Sequence, residues 1–301
     1  MRILVTGSTG FVGARVAATL RDHGHEVVQV ARCEPGPTAD GAGPMLLVDF
    51  ARPCEAVERI CAAKPEAVIH LAWPAQPPGH ERSLENLDAL EFSLKLFRGL
   101  REARCGSVIG VGSALEYASG GDAALGEQSP QNCSANLHVT CKQTARALGA
   151  AIFRDTDTRF IWVRLFNAYG PGDRSERIIP STIRRILTRQ GVEIRNGAVQ
   201  RDFIHIDDVA RGFQSLIESD SDGDFNLASG RPVAMGELAE QLYRLAPLGD
   251  SPRVSFPPAG ETVSSVVGDT TRLRALGWVP EVELDHGLSQ TVAWWRSRLG
   301  L

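Results

Sequence analysis

Met1-Arg-Ile-Leu-Val-Thr-Gly-Ser-Thr-Gly-Phe-Val-Gly13 is the stretch that decides the fold. Ile3, Leu4 and Val5 make a short apolar, β-rich run, the pattern of a parallel strand buried on both faces. Gly7, Gly10 and Gly13 follow at three-residue spacing, and Ala14-Arg-Val-Ala-Ala-Thr-Leu20 then reads as a helix that stops near Gly24. Strand, glycine turn and helix is the context in which such a triplet binds a dinucleotide. Gly7 permits the tight turn. Gly10 lets backbone approach the pyrophosphate at a helix N-terminus, and Gly13 lets the helix pack closely. An ordinary βα turn rich in glycine is the alternative.

Composition narrows the rest. The chain has 301 residues, 43% of them hydrophobic, and a net charge of −4. That length suits one large α/β domain or one domain with an appended lobe. No basic block stands out, which argues against nucleic acid as a partner. The six cysteines (Cys33, Cys54, Cys61, Cys105, Cys133, Cys141) form no CxxC pair, so they read as reduced thiols of a cytoplasmic protein. Seven scattered histidines do not support a metal site. No apolar run reaches about eighteen residues, so no membrane span is expected. A strand that begins at once leaves no room for a signal peptide.

The second strand is Glu26-Val-Val-Gln-Val-Ala31, and its end bears on the cofactor. An acid there suits the ribose hydroxyl of NAD, and an Arg nearby suits the 2′-phosphate of NADP. The residues are Ala31 and Arg32, so NADP is favoured and NAD remains possible; a solvated surface role for Arg32 is the alternative. Residues 33–44 read as a loop. Further strands are predicted at 45–48, with Asp49 at its tip, at 67–72, 107–112, 160–165 and 224–228. Trp73 lies just beyond the fourth strand, where it either walls a substrate pocket or packs as part of a lid. Helices are predicted at 53–64, 83–104, 137–154, 178–190, 235–246 and 285–298, with another leading from 208 to about 218. Residues 167–172 read as a turn and 252–258 as a proline-rich strand region.

The whole chain resembles the extended short-chain dehydrogenase/reductases that modify nucleotide sugars. The resemblance rests on ordered matches: the glycine triplet, His70-Leu-Ala72, Asn86, Ser113-Ala-Leu-Glu-Tyr117, Arg164-x-x-Asn167-x-Tyr-Gly-Pro171, Arg201-Asp-Phe-x-x-x-Asp-Asp208, Phe225-Asn226 and Leu276-Gly-Trp-x-Pro280. It implies an α/β fold with a Rossmann-type doubly wound parallel sheet over residues 1–166, to which 201–228 returns. A smaller α/β C-terminal substrate lobe would be built from 167–200 and 229–301. The cofactor would meet Gly7, Thr9, Gly10, Phe11, Val12, Gly13, Arg32, Asp49, Phe50, Leu71, Ala72, Trp73, Asn86 and Lys142. A nucleotide-sugar substrate would meet Trp73, Ser113, Ala114, Asn167 and Arg201, with Arg201 on the diphosphate; a salt bridge from Arg201 to Asp207 or Asp208 is the alternative. The resemblance also implies a homodimer through the helices at 83–104 and 137–154, where Phe92 and Phe97 look like spare apolar residues.

The family's chemistry uses a Ser or Thr, a Tyr, and a Lys one helical turn after the Tyr. Here Ser113 and Lys142 stand at their positions, but the Tyr position holds His138. The chain's three tyrosines, Tyr117, Tyr169 and Tyr243, lie elsewhere. A His has a reference pKa of about 6.5, suited to acid–base work near neutrality, and Lys142 should push it down. Three readings follow: His138 is the proton donor, it is inert while water or Ser113 supplies the proton, or catalysis is lost and the protein only senses dinucleotide. The first fits NADPH-dependent reduction of a nucleotide-linked keto sugar, a 4-keto-6-deoxyhexose above others. An NAD-dependent epimerase or dehydratase is the rival enzyme; each must first oxidise an alcohol, and a dehydratase also wants an acid and a base near Ser113, where only Glu116 and Tyr117 stand.

Overall fold

The structure, a computed structural model, describes all residues except 33–42, 75–78, 119–123, 133–135, 195, 247–253 and 256–264. The first half runs β1 (Arg2–Thr6), α1 (Phe11–Asp22), β2 (Glu26–Ala31), β3 (Met45–Leu47), α2 (Pro53–Ala62), β4 (Ala67–His70), α3 (Glu85–Glu102), β5 (Ser107–Ser113), α4 (Leu137–Phe153) and β6 (Arg159–Leu165). The second runs β7 (Asn167–Tyr169), α5 (Ile178–Leu187), β8 (Val192–Glu193), β9 (Gln200–His205), α6 (Ile206–Glu218), β10 (Gly223–Leu227), β11 (Pro232–Ala234), α7 (Met235–Leu245), β12 (Val254–Ser255), β13 (Ser265–Val266), α8 (Thr271–Arg274) and α9 (Leu284–Leu299). Short 3-10 turns at His80–Arg82 and Ala114–Glu116 flank α3 and β5.

Seven strands form one parallel sheet in the order β10-β6-β5-β4-β1-β2-β3. Because alternate side chains point to opposite faces, Ile3 and Val5 pack under α1 and α6, while Leu4 packs under α2, α3 and α4. The strand order reverses between β1 and β4, and ligands of such sheets lie over the carboxyl ends at that point.

Four of the remaining strands build a second sheet, β11-β9-β13 with β7 on β9, and β8 pairs with β12 in a two-stranded sheet. Of the stretch expected to return to the main sheet, α6 packs on α1 and β10 pairs β6, but β9 belongs to this second sheet. The turn predicted at 167–172 begins with β7, which pairs Asn167 with Phe203 and Tyr169 with His205. Three residues carry too short an alternation to announce a strand. Around this sheet α5, α7 and α9 close a separate apolar core through Ile183, Leu242, Leu288 and Trp295.

Phe92 and Phe97 are core residues, 4% and 0% exposed, not spare surface. The large apolar residues that α3 and α4 leave outside are Leu87 and Leu148. Cys54, Cys61, Cys105 and Cys141 are free thiols; Cys33 and Cys133, the 33–42 part of the predicted loop and most of the predicted strand region at 252–258 lie outside the described residues. Among the described residues no helix is long and apolar enough to cross a membrane, and no group of three or more His, Cys, Asp or Glu is placed to hold a metal ion.

Candidate active site

The glycine turn fits a pyrophosphate. Gly7 has φ +70°, and a Cβ there would stand 2.8 Å from Ala72 N and from the Leu71 carbonyl carbon. Only glycine meets both demands at no cost. A Cβ on Gly13 would overlap Gly7 O, so Gly13 is needed where α1 crosses the turn itself rather than the strand. Gly10 caps α1 in an extended conformation with no side-chain cap, and the first turn carries no acid. The free N–H groups and positive end of α1 are therefore open to an anion. Thr9 is exposed on this turn, Phe11 and Val12 are half-buried behind it, and Leu71 and Ala72 abut it.

Arg32 is exposed immediately past the tip of β2, with Ala31 buried before it. At the tip of β3, Asp49 is exposed and accepts Ala51 N–H at 2.9 Å, while Phe50 sets its ring edge-on against Phe92. Inside the sheet, Thr6 Oγ1 accepts Ala72 N–H and lies 2.8 Å from His70 Nδ1; the other His70 nitrogen lies 2.9 Å from Ser93 Oγ. Burial first, then Lys142, push His70 down to about 3, so this motif histidine is a neutral strut that holds β4 against β1 and α3.

Ser113 ends β5. Its Oγ accepts Leu115 N–H, and its own N–H goes to Glu116 Oε1 at 2.9 Å, a capping box for the 114–116 turn. The hydroxyl keeps its proton for donation. Ala114 is buried in a small apolar cluster with Tyr117 and Phe166. Lys142 projects from α4 to the same strand end: Nζ donates to Val111 O at 2.6 Å and lies 4.0 Å from the centroid of the Trp73 ring. Burial lowers Lys142 to about 7, against an opposing pull from Glu116. Trp73 is half-buried. Its Nε1 donates to Asn86 Oδ1 at 2.9 Å while its face covers the ammonium.

His138 is buried, with Nδ1 3.0 Å from Asn86 Oδ1 and its ring edge-on to Trp73 and His80. Burial above all, then Lys142 and His80, bring it down to about 3. The downward push expected from Lys142 is present, but desolvation is larger. So low a value keeps the ring neutral near pH 7.

Glu116 and Tyr117 are committed elsewhere. Glu116 is fully buried, paired with Arg164 Nε at 3.1 Å and bonded by Trp162 Nε1. Arg164, also fully buried, reaches on to Tyr117 Oη, Glu127 O and Asp224. The Tyr117 hydroxyl donates to Asn226 Oδ1 at 2.6 Å. This network ties the ends of β5, β6 and β10 together and engages both Glu116 and Tyr117.

On the substrate side, Asn167 Nδ2 donates to Asp202 O at 2.8 Å, binding β7 to β9. Arg201 is half-buried on β9, donates to Gln200 O, and is lowered by that burial. The acids offered as its alternative partners are bonded elsewhere: Asp207 pairs with Arg15 at 2.7 Å, and Asp208 pairs with Arg211 and accepts Glu281 and Val282 N–H.

The family model of the NAD dependent epimerase/dehydratase family matches residues 3–228. The chain belongs to this family. Epimerase/dehydratase family relatives resemble it from end to end. The dTDP-4-dehydro-6-deoxy-D-allose reductase of a Streptomyces species is 27% identical over 98% of this chain and 96% of its own. The dTDP-glucose 4,6-dehydratase of Streptomyces niveus is also 27% identical, over 98% and 93%. Among solved structures, MoeE5 in complex with UDP-glucose and NAD superposes with a TM-score of 0.84 at 26% identity, covering 99% and 100% of the two chains. The UDP-glucose 4-epimerase of Thermotoga maritima shares the fold, with a TM-score of 0.86 at 24% identity over 99% and 100%. The Rossmann-type fold is therefore that of the nucleotide-sugar epimerase structures, and the chain is an NAD(P)-binding enzyme of this family.

Proposed function

We propose that this enzyme reduces a nucleotide-linked keto sugar with NADPH, a 4-keto-6-deoxyhexose being the best candidate. The observation that carries the reading is the tip of β2, where Arg32 stands exposed in place of the acid that suits NAD. A dinucleotide with a 2′-phosphate fits net reduction better than the retained NAD of an epimerase. The commitment of Glu116 and Tyr117 to the Arg164 network argues against a dehydratase. End-to-end likeness to a 4-keto-6-deoxy-sugar reductase points the same way.

The glycine turn and the start of α1 would hold the pyrophosphate, Arg32 the 2′-phosphate, and Lys142 with Leu71–Trp73 the nicotinamide side. When bound, the reduced dinucleotide supplies the hydride. Ser113 donates a hydrogen bond to the keto oxygen, and the Lys142 ammonium stabilises the charge that develops there. Arg201 grips the diphosphate in a fork suited to phosphate oxygens, and Asn167 stands beside it. With a dTDP-linked 4-keto-6-deoxyhexose, absorbance at 340 nm should fall with NADPH; no fall with either NADPH or NADH would end this reading. A charged hydrogen bond to phosphate contributes about 1.5–3 kcal/mol, roughly a ten- to hundredfold preference. Arg32→Ala should erase most of that preference, read from paired titrations of NADPH and NADH.

The same reading includes a homodimer. Helices α3 and α4 lie side by side, with Leu87 47% and Leu148 42% exposed along them. Light scattering at tens of micromolar should report a dimer in the parent and a monomer in Leu148→Glu. A monomeric parent would remove the proposal.

A further inference from the structure

The hydrogen bonds around Asn86 determine which nitrogen of His138 carries the proton. Trp73 Nε1–H can only donate, so the Asn86 atom 2.9 Å from it is the carbonyl oxygen. The amide nitrogen then faces His80 O at 2.7 Å and Ser83 O at 2.8 Å, both acceptors. The amide has one orientation. Its Oδ1 only accepts, and His138 Nδ1 lies 3.0 Å from it, so Nδ1 carries the hydrogen. In the neutral ring Nε2 is then a bare lone pair, and no hydrogen bond among the described residues claims it. Such a ring accepts an O–H and repels an oxyanion.

We infer that Asn86 is a positioning residue that fixes His138 as the Nδ1–H tautomer, an acceptor in the site, and leaves Lys142 to protonate the sugar oxygen. This rests on the reductase reading only for the second clause. The Lys142 ammonium is placed for the task. It follows His138 by one turn of α4 and touches Val111 O, two residues before Ser113 on the same strand. The step balances: the keto carbon takes a hydride from a reduced nicotinamide dinucleotide, the carbonyl π pair moves to oxygen, and that oxygen takes a proton from Nζ. Lys142 becomes the neutral amine and recovers its proton from solvent. The finished hydroxyl is then a donor that the His138 lone pair accepts. The charged and titratable groups that face the pair are His70 from β4, His80 from the 80–82 turn and Glu116 from the 114–116 turn, with Arg164 of β6 behind Glu116. His80 and Lys142 act against a cationic His138, and Glu116 favours a cationic Lys142.

The test begins with the full-length protein labelled with ¹⁵N-histidine. Long-range correlations should show His138 with a protonated Nδ1 and a bare Nε2, unchanged from about pH 6 to about pH 9. His138→Gln identifies the signals. Asn86→Ala should let the Nε2–H form appear. Finding Nε2–H in the parent, or a His138 cation near neutrality, overturns the proposal. The second arm is the pH profile of kcat. His138→Gln should lower kcat but leave the alkaline limb near pH 7, whereas Lys142→Arg should carry that limb beyond about pH 9. A limb that disappears in His138→Gln and stays in Lys142→Arg overturns the assignment of Lys142. The expected tautomer together with no keto-sugar reduction overturns the reductase reading alone and leaves the role of Asn86 standing.

Discussion

Lys142→Ala is expected to lower turnover at saturating dinucleotide by about 10²–10⁴, the usual worth of a positioned proton donor. Three features of its setting justify so large an effect. The ammonium is held at Val111 O beside Ser113, it is buried, and the Trp73 ring covers it. A charge so placed acts in a low-dielectric site, where its effect on a developing oxyanion exceeds what it would have in water. Burial brings the ammonium to about 7, so it holds its proton below that pH and loses it above. Activity of the parent should therefore fall as pH rises through 7, the opposite of a site that waits for a base. Dinucleotide affinity should drop as well, since Lys142 would also hold the ribose. Fluorescence titration of NADPH separates the two effects, and kcat within a few-fold of the parent would show that Lys142 serves binding alone.

Arg164→Met is the largest expected effect on stability. Arg164 is fully buried and joins Glu116, Asp224, Tyr117 and the Glu127 carbonyl. Removing one partner of a buried ion pair costs about 3–5 kcal/mol, because the other charge is left without compensation. For a chain of this size that corresponds to a fall in Tm on the order of 10 °C. Burial already raises the Glu116 carboxyl and Arg164 is the main force lowering it, so in the variant it should rise further. A carboxyl raised in the folded state binds its proton more tightly there than in the unfolded chain. Stability then declines as pH rises above the unfolded value of about 4.3. The variant should accordingly lose more against the parent at about pH 8 than at about pH 5 in thermal melts. Adding Glu116→Gln to Arg164→Met should recover part of the loss and flatten the pH dependence. A single variant that melts within about 2 °C of the parent at both pH values would show that the network contributes little.

Residues 1–31 were readable because their signals are local. A strand buried on both faces needs a continuous apolar run, and the turn after it needs glycine at Gly7 because φ is +70° there. The same locality made the helices, the four-residue α8 excepted, legible to within a few residues at each end. Strands β7, β8, β11 and β13 were not legible, since two or three residues carry no period, and their pairing is made by β9 and β12 from far along the chain. The exposed apolar residues of α3 were not legible either, because 3.6-fold periodicity finds an apolar face but not what covers it; Phe92 and Phe97 lie in the core, and Leu87 does not.

The candidate site divides in the same way. By itself the sequence supplied the residue identities, Ser113, His138 and Lys142 as the expected counterparts of a Ser, a Tyr and a Lys, and Arg32 just past the second strand, because residue identity needs no coordinates. Tertiary structure alone decided what those residues can do. Asn86 and His138 are 52 residues apart, and Arg164 and Glu116 are 48 apart. Proton position and charge depend on such partners and on burial, since a ring nitrogen or a carboxylate is tuned by the few atoms that touch it. That is why the contact of His138 with Asn86, an asparagine from another helix, and the burial that lowers its pKa could not be read from the sequence.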